Sequence, residues 1–126
     1  MTDIDSIRGR LHDMSMLTPI SANDTEALKV EFVGIPIEYT EFLEKVGYGE
    51  VGDIRIYEAP TSPDDIYPVA QGDLSGIVLF GDDFQGYCFG FDTTKNFCLV
   101  EVDPRGNPRP RSEKGFLSLI AGYIPE

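Results

Sequence analysis

Residues 76–103, GIVLFGDDFQGYCFGFDTTKNFCLVEVD, constrain the fold more than any other part of the chain. Aromatic and aliphatic residues run in three short blocks, separated by GDDFQG and TTKN, which have the composition of turns. Strands joined by connections this short must pair antiparallel. A four-residue loop from Thr93 to Asn96 pairs Asp92 with Phe97, setting Phe91 against Cys98, Phe89 against Val100 and Tyr87 against Val102. Pairing Phe80 with Tyr87 across the first turn adds Val78 and Phe80 to the same face. This register predicts one buried face of Val78, Phe80, Phe89, Phe91, Val100 and Val102, with Cys98 in the core. The other face carries Ile77, Leu79, Cys88, Gly90, Asp92, Leu99 and Glu101, too mixed to be fully solvated, so something covers part of it. Cys88 and Cys98 then lie on opposite faces and stay unbridged, Cys88 as a partly covered thiol.

Around this meander the periodicity is helical. Ile4, Ile7, Leu11 and Met14 give a short amphipathic helix over 3–14. Asn23 with Glu26 three residues later forms a capping box, although Leu28, Val30 and Phe32 alternate like a strand; the capping pair favours helix. In IPIEYTEFLEKVG, Pro36 suits the first helical position, Tyr39, Phe42, Leu43 and Val46 share a face, and Gly47 suits the left-handed position that ends a helix. DIRIYEA reads as a strand. The loop after it contains three prolines and a helical turn opened at Ser62. DPRGNPRPRSEKG is an irregular loop, and Phe116, Leu117, Ile120, Tyr123 and Ile124 form a last helical stripe. The expected fold is a single α+β domain over 1–126, with helices packed on an antiparallel meander.

A chain of 126 residues is long enough for one core. It lacks the apolar run of about 18–20 residues that a membrane helix needs, and MTDIDSIRGR is not a signal peptide, so the expected location is the cytoplasm. The net charge of −12 disfavours nucleic acid and anionic membrane as partners and favours a basic protein. The charge is uneven: Arg105, Arg109, Arg111 and Lys114 cluster in one loop with Glu113 as the only acid among them.

Motifs of catalysis are weak. GYGEVG, residues 47–52, matches a dinucleotide fingerprint in letters, but here a helix precedes the glycines and a strand follows them, the reverse of the order that brings a helix N-terminus to the phosphates. The glycines are expected to cap and turn the chain, and no cofactor is expected. Asp82, Asp83 and Asp92 lack calcium-loop spacing, so turn chemistry is favoured over a metal. His12, the only histidine, is in the first helix, leaving no base for nucleophilic hydrolysis. No catalytic or metal-ligating residue is assigned, and no enzyme is expected.

Two blocks, IPIEYTEFLEKVGYGEVGDIRIYEAP and GIVLFGDDFQGYCFGFDTTKNFCLVEVD, resemble the SUKH superfamily, in the branch named after the fungal Smi and Knr regulators of cell-wall synthesis. The shared signals are Ile35-Pro36, the YxxFL helix from Tyr39 to Leu43, the turn Gly47 to Gly49, then Gly81-Asp82, Gly86 and Phe91-Asp92. The resemblance implies a non-enzymatic binding module. Bacterial members of that superfamily act as immunity proteins against toxin domains, often nucleases, and fungal members as signalling scaffolds. The partner implied is a cognate, basic toxin domain; the alternative is an adaptor linked to cell-wall synthesis. Aromatics beside acids in Tyr48-Gly49-Glu50 and Asp82-Asp83-Phe84-Gln85 make Tyr48, Glu50, Asp82, Asp83, Phe84 and Gln85 the expected partner-binding surface, with both aspartates at an exposed turn. The basic loop Arg105 to Arg111 is the next candidate.

Overall fold

The computed structural model describes residues 3–11 and 17–124. His12 and Met14 lie outside them. The described residues form an antiparallel sheet of seven strands in sequence order: β1 (Leu17–Thr18), β2 (Tyr48–Val51), β3 (Ile54–Thr61), β4 (Ile77–Asp82), β5 (Cys88–Asp92), β6 (Cys98–Val102) and β7 (Pro108–Pro110). Four helices accompany it: α1 (Ile4–Arg10), α2 (Ala22–Glu31), α3 (Ile37–Lys45) and α4 (Phe116–Ala121). The domain is therefore α+β, as its patterning implies. No helix among the described residues is long and apolar enough to cross a membrane.

The helices form where local chemistry permits. α2 is capped by Ser21, whose hydroxyl accepts from the Asp24 amide, two residues earlier than the Asn23 box. α3 starts after Pro36, and its buried residues Tyr39, Thr40, Phe42 and Leu43 face the sheet. Gly47 follows with φ of 115°; a Cβ there would lie 2.4 Å from the Thr18 carbonyl carbon, so the glycine both turns the chain and lets β1 approach β2. The GYGEVG segment is therefore mostly strand β2, which a cap-and-turn interpretation does not anticipate. β1 and β7 were likewise not legible, being two and three residues long. β3 runs through Pro60, which is tolerated because its pairing with β4 is irregular between Ile56 and Thr61.

The sheet has two covered faces. Against the helices lies a core of Tyr39, Phe42, Phe80, Phe89, Phe91 and Phe116 with aliphatics from every helix. Tyr39 and Phe116 meet edge to face with centroids 5.3 Å apart, and Phe80 and Phe91 lie 4.9 Å apart, so rings from α3, α4, β4 and β5 interlock. On the opposite face Ile77, Leu79, Cys88, Val100 and Val102 are covered by Tyr67, with Ala70 and Leu74 beside it. The covering segment, residues 62–76, is tied down: the Tyr67 hydroxyl donates to the Gly86 and Val102 carbonyls, and the Gln71 amide to the Arg105 carbonyl.

The register differs from the expected one. β6 pairs Phe91 with Leu99, Phe89 with Glu101 and Cys88 with Val102, a slip of one residue. The loop holds five residues rather than four, because Asn96 and Phe97 both adopt left-handed backbone, each with φ of 55°, and the Phe97 amide donates to the Asp92 carbonyl. Val100 and Val102 are buried, but on the face away from the helices; Leu99 takes the core position, and Cys98 is exposed rather than core. Phe80 does not pair with Tyr87 either: β4 carries an extra residue between Leu79 and Gly81, and the turn ends at the pair Asp82 and Cys88. Both cysteines are free, on one face rather than two.

Two measurements check this arrangement. Thiol titration of the folded protein is expected to label Cys98 promptly and Cys88 only on unfolding, whereas the register expected from a four-residue loop, with Cys98 in the core, predicts the reverse order. The Tyr39 hydroxyl has no hydrogen-bond partner among the described residues, and burial holds its acidity well below that of an ordinary phenol. Tyr39→Phe removes that unpaired group and is expected to raise the unfolding free energy by about 1 kcal/mol, read from denaturant melts.

Candidate functional site

On the face away from the helices, strand pairing lines up Glu50, Arg55, Asp82, Cys88 and Val102 as one row across β2 to β6. Ile54 and Ile56 point into the helical core, so Arg55 and Tyr57 emerge on this side. Asp82 is the hub. It is 7% exposed; its Oδ2 accepts from Arg55 Nη2 at 2.7 Å and from the Tyr57 hydroxyl at 2.6 Å, and its Oδ1 from the Phe84 amide at 3.0 Å. Burial pushes the carboxyl's pKa up, but the Tyr57 hydroxyl, the Arg55 guanidinium and the Phe84 amide outweigh that and hold it below the ordinary carboxylate value. Burial, then the bond to Asp82, raises the Tyr57 phenol. Burial also raises the pKa of the Cys88 thiol, which sits 3.8 Å from the Tyr57 hydroxyl.

The turn beside this hub presents an aromatic ring. Asp83 accepts from the Gln85 and Tyr87 amides through Oδ1, closing a five-residue turn in which Phe84 has φ of 63°. Left-handed backbone is unusual for a bulky side chain, so the ring is held in place at a conformational cost. Phe84 is 50% exposed and its ring lies 5.3 Å from the Arg55 guanidinium carbon, with Tyr57 5.8 Å from the same atom. A hollow of ≈ 450 Å³ opens beneath it, between Ile66, Tyr67, Cys88 and Pro104. A second shallow hollow shares Arg55, Tyr57 and Ile66 and continues to Tyr48. A third runs from Phe84 past Asp83 and Gln85 to Asp53 and Tyr123. Together they form an open groove with Phe84 and Arg55 at its centre.

Of the residues expected at the site, Tyr48, Phe84, Gln85 and Asp83 line this groove, and Glu50 stands opposite Arg55 across the strand pair. Asp82 is not the exposed turn charge that was expected. It is the buried last residue of β4, and its role is to hold Arg55, Tyr57 and the turn. Asp83 is half-buried and holds the turn as well. Arg55, Tyr57, Ile66 and Pro104 were missed; the alternation Ile54, Arg55, Ile56, Tyr57 carried the signal, but only for a sheet with a covered second face. The basic loop is less free than its composition implies. Glu101 pairs with Arg109 and Arg111, both at 2.6 Å, and Glu113 pairs with Arg111. Among the described residues, no group of three His, Cys, Asp or Glu side chains is placed to hold a metal.

The hub makes a pH prediction. A carboxyl whose pKa is lower folded than unfolded stabilises the fold above its unfolded value near 4, and that contribution is lost as pH falls through the folded value. Asp82→Asn is therefore expected to cost about 2 kcal/mol at neutral pH and to flatten the loss of stability on acidification below about pH 4. Urea melts of both proteins between neutral and acid pH check it; equal acid slopes would remove Asp82 from this role. Comparison of the chain with protein-family models, with curated proteins and with solved structures finds no match in any of the three.

Proposed function

We propose that this chain is a non-enzymatic protein-binding module, an immunity-type protein that binds and blocks a basic toxin domain through the groove centred on Phe84. The observation that carries this reading is the Phe84 ring, half-exposed, held at a left-handed position and laid over Arg55. A bulky aromatic kept exposed against its own backbone preference fits an anchor for a partner. Its surround supports a basic partner. Glu50, Asp53 and Glu58 are exposed beside the groove, while the one cation at its centre, Arg55, is paired with Asp82. An aromatic centre inside an acidic rim gives a dissociation-controlling anchor and an association-steering field. The resemblance to immunity proteins in the sequence blocks agrees with this arrangement. The groove is open rather than enclosing, which suits a protein surface better than a small molecule.

The test is a search of the neighbouring reading frames for a toxin domain, co-expression with it, and binding kinetics at two ionic strengths; a neighbourhood without a toxin domain would count against the immunity reading. Phe84→Gly relieves the left-handed strain and loses the ring, so stability is expected to stay within about 1 kcal/mol while dissociation speeds by roughly tenfold or more. Glu50→Lys with Glu58→Lys is expected to slow association and to reduce its salt dependence. Parental kinetics and full protection in both variants would remove the groove from the function.

A further inference from the structure

The helical layer carries a second unpartnered surface. Among the large apolar side chains of the described residues, Val30, Val33 and Ile37 are 78, 82 and 68% exposed, and all three fall within eight residues at the junction of α2 and α3. Val30 lies in the last turn of α2, Val33 in the turn that follows and Ile37 at the start of α3, so all three are presented where the two helices join. Packing inside the domain does not explain them: α2 buries Thr25 and Leu28, α3 buries Tyr39, Thr40, Phe42 and Leu43, and the three side chains point elsewhere. β-Branched residues at exposed helical positions cost propensity as well as solubility.

The charge of the helical layer bears on what such a surface would accept. Residues 22–45 contain six acids and two lysines, and both lysines are already paired within the layer, Lys29 with Glu26 and Lys45 with Glu41. Glu38 is turned away to accept from the Leu117 amide at the start of α4, leaving Asp24, Glu31 and Glu44 as the net field. A second copy of this chain would bring the same acidic surface and the same net charge of −12 against it, a repulsive pairing. A basic partner would not. Helices offer no free backbone edge along their flanks, so a strand laid there would leave its own amides unpaired; a partner segment must satisfy its backbone internally. We infer that the α2–α3 junction is a docking site for a cationic amphipathic helix, set on the opposite side of the sheet from the Phe84 groove. The two surfaces face away from each other, so a globular domain seated in the groove leaves this one free, and the chain can bridge two partners.

The experiment uses the full chain, isotopically labelled for amide NMR, and two synthetic helices of about 18 residues, one with leucines on one face and lysines on the other, the second with glutamates in place of the lysines. The lysine peptide is expected to bind saturably, to shift amides of residues 28–41, and to weaken as salt rises from about 50 to 200 mM. The triple variant Val30→Ser, Val33→Ser and Ile37→Ser is expected to weaken binding by roughly tenfold or more, and Phe84→Ser to leave it unchanged. Should the triple variant fail to fold, Val33→Ser alone, in the turn between the helices, gives the same comparison with a smaller loss. Absence of binding, equal binding by the glutamate peptide, unaltered affinity in the serine variants, or shifts confined to the groove would each overturn the inference. So would a concentration-dependent dimer of the parent that the serine variants abolish, since the occupant would then be a second copy. Loss of toxin protection in the groove variants with peptide binding intact, or the converse, separates failure of one surface from failure of the other.

Discussion

The extra residue in β4 is the constraint on which both faces of the sheet depend. Leu79 faces the segment 62–76 and Phe80 faces the helices; without an irregularity Asp82 would follow Phe80 into the helical core. Because Gly81 pairs with Phe89 while Leu79 pairs with Gly90, Phe80 and Gly81 together oppose a single residue, and the alternation resumes one step out of phase. Asp82 is thereby aimed at the second face, where Arg55 and Tyr57 meet it. The glycine is required: a Cβ at position 81 would lie 2.3 Å from the Arg55 carbonyl oxygen. One inserted residue thus serves the core, by seating Phe80 among Tyr39, Phe91 and Phe116, and serves the groove, by supplying its buried anion.

This same feature explains what the sequence could and could not disclose. Alternation along β3 to β6 identifies strands, the α3 stripe identifies the helix that packs on them, and a two-layer α+β domain follows. Register does not follow, because it depends on how many residues each turn consumes. A phenylalanine at φ of 55° at position 97 and a bulge at Phe80 leave no compositional mark comparable to an Asn-Gly pair. Part of the site was legible for a simple reason: Phe84 beside two aspartates in a turn is conspicuous in a string of letters. Arg55 and Tyr57 were not, since their meeting with Asp82 crosses 25 residues or more and is created by pairing alone.

The two candidate surfaces sit on different kinds of support. The groove rests on a rigid network in which a buried carboxylate fixes a guanidinium, a phenol and a turn amide, so its geometry is held before any partner arrives. The α2–α3 junction has no such network, only aliphatic side chains on well-packed helices, and its selectivity must come from charge and from the self-satisfied backbone of what it meets. Two surfaces on opposite sides suit an adaptor as well as an inhibitor, since an inhibitor needs only one.

The acidity of the chain also divides into two populations with different work. Asp73, Asp82, Asp83, Asp92 and Asp103 each accept backbone amides in the turns, Asp103 for example from Arg105 and Asn107 at 2.9 and 3.0 Å. These carboxylates are short enough to accept from amides two to four residues further along the chain, which is why turns select aspartate over glutamate. Their charge is largely committed to fixing the connections between strands. Glu50, Asp53 and Glu58 beside the groove, and Asp24, Glu31 and Glu44 in the helical layer, are not tied into turns and keep their field for solvent. A net charge of −12 therefore overstates the field offered to a partner, and the position of the uncommitted acids matters more than their number. In the proposed groove Glu50, Asp53 and Glu58 stand with Phe84 and Arg55, so there attraction and anchoring would act at one place on the surface.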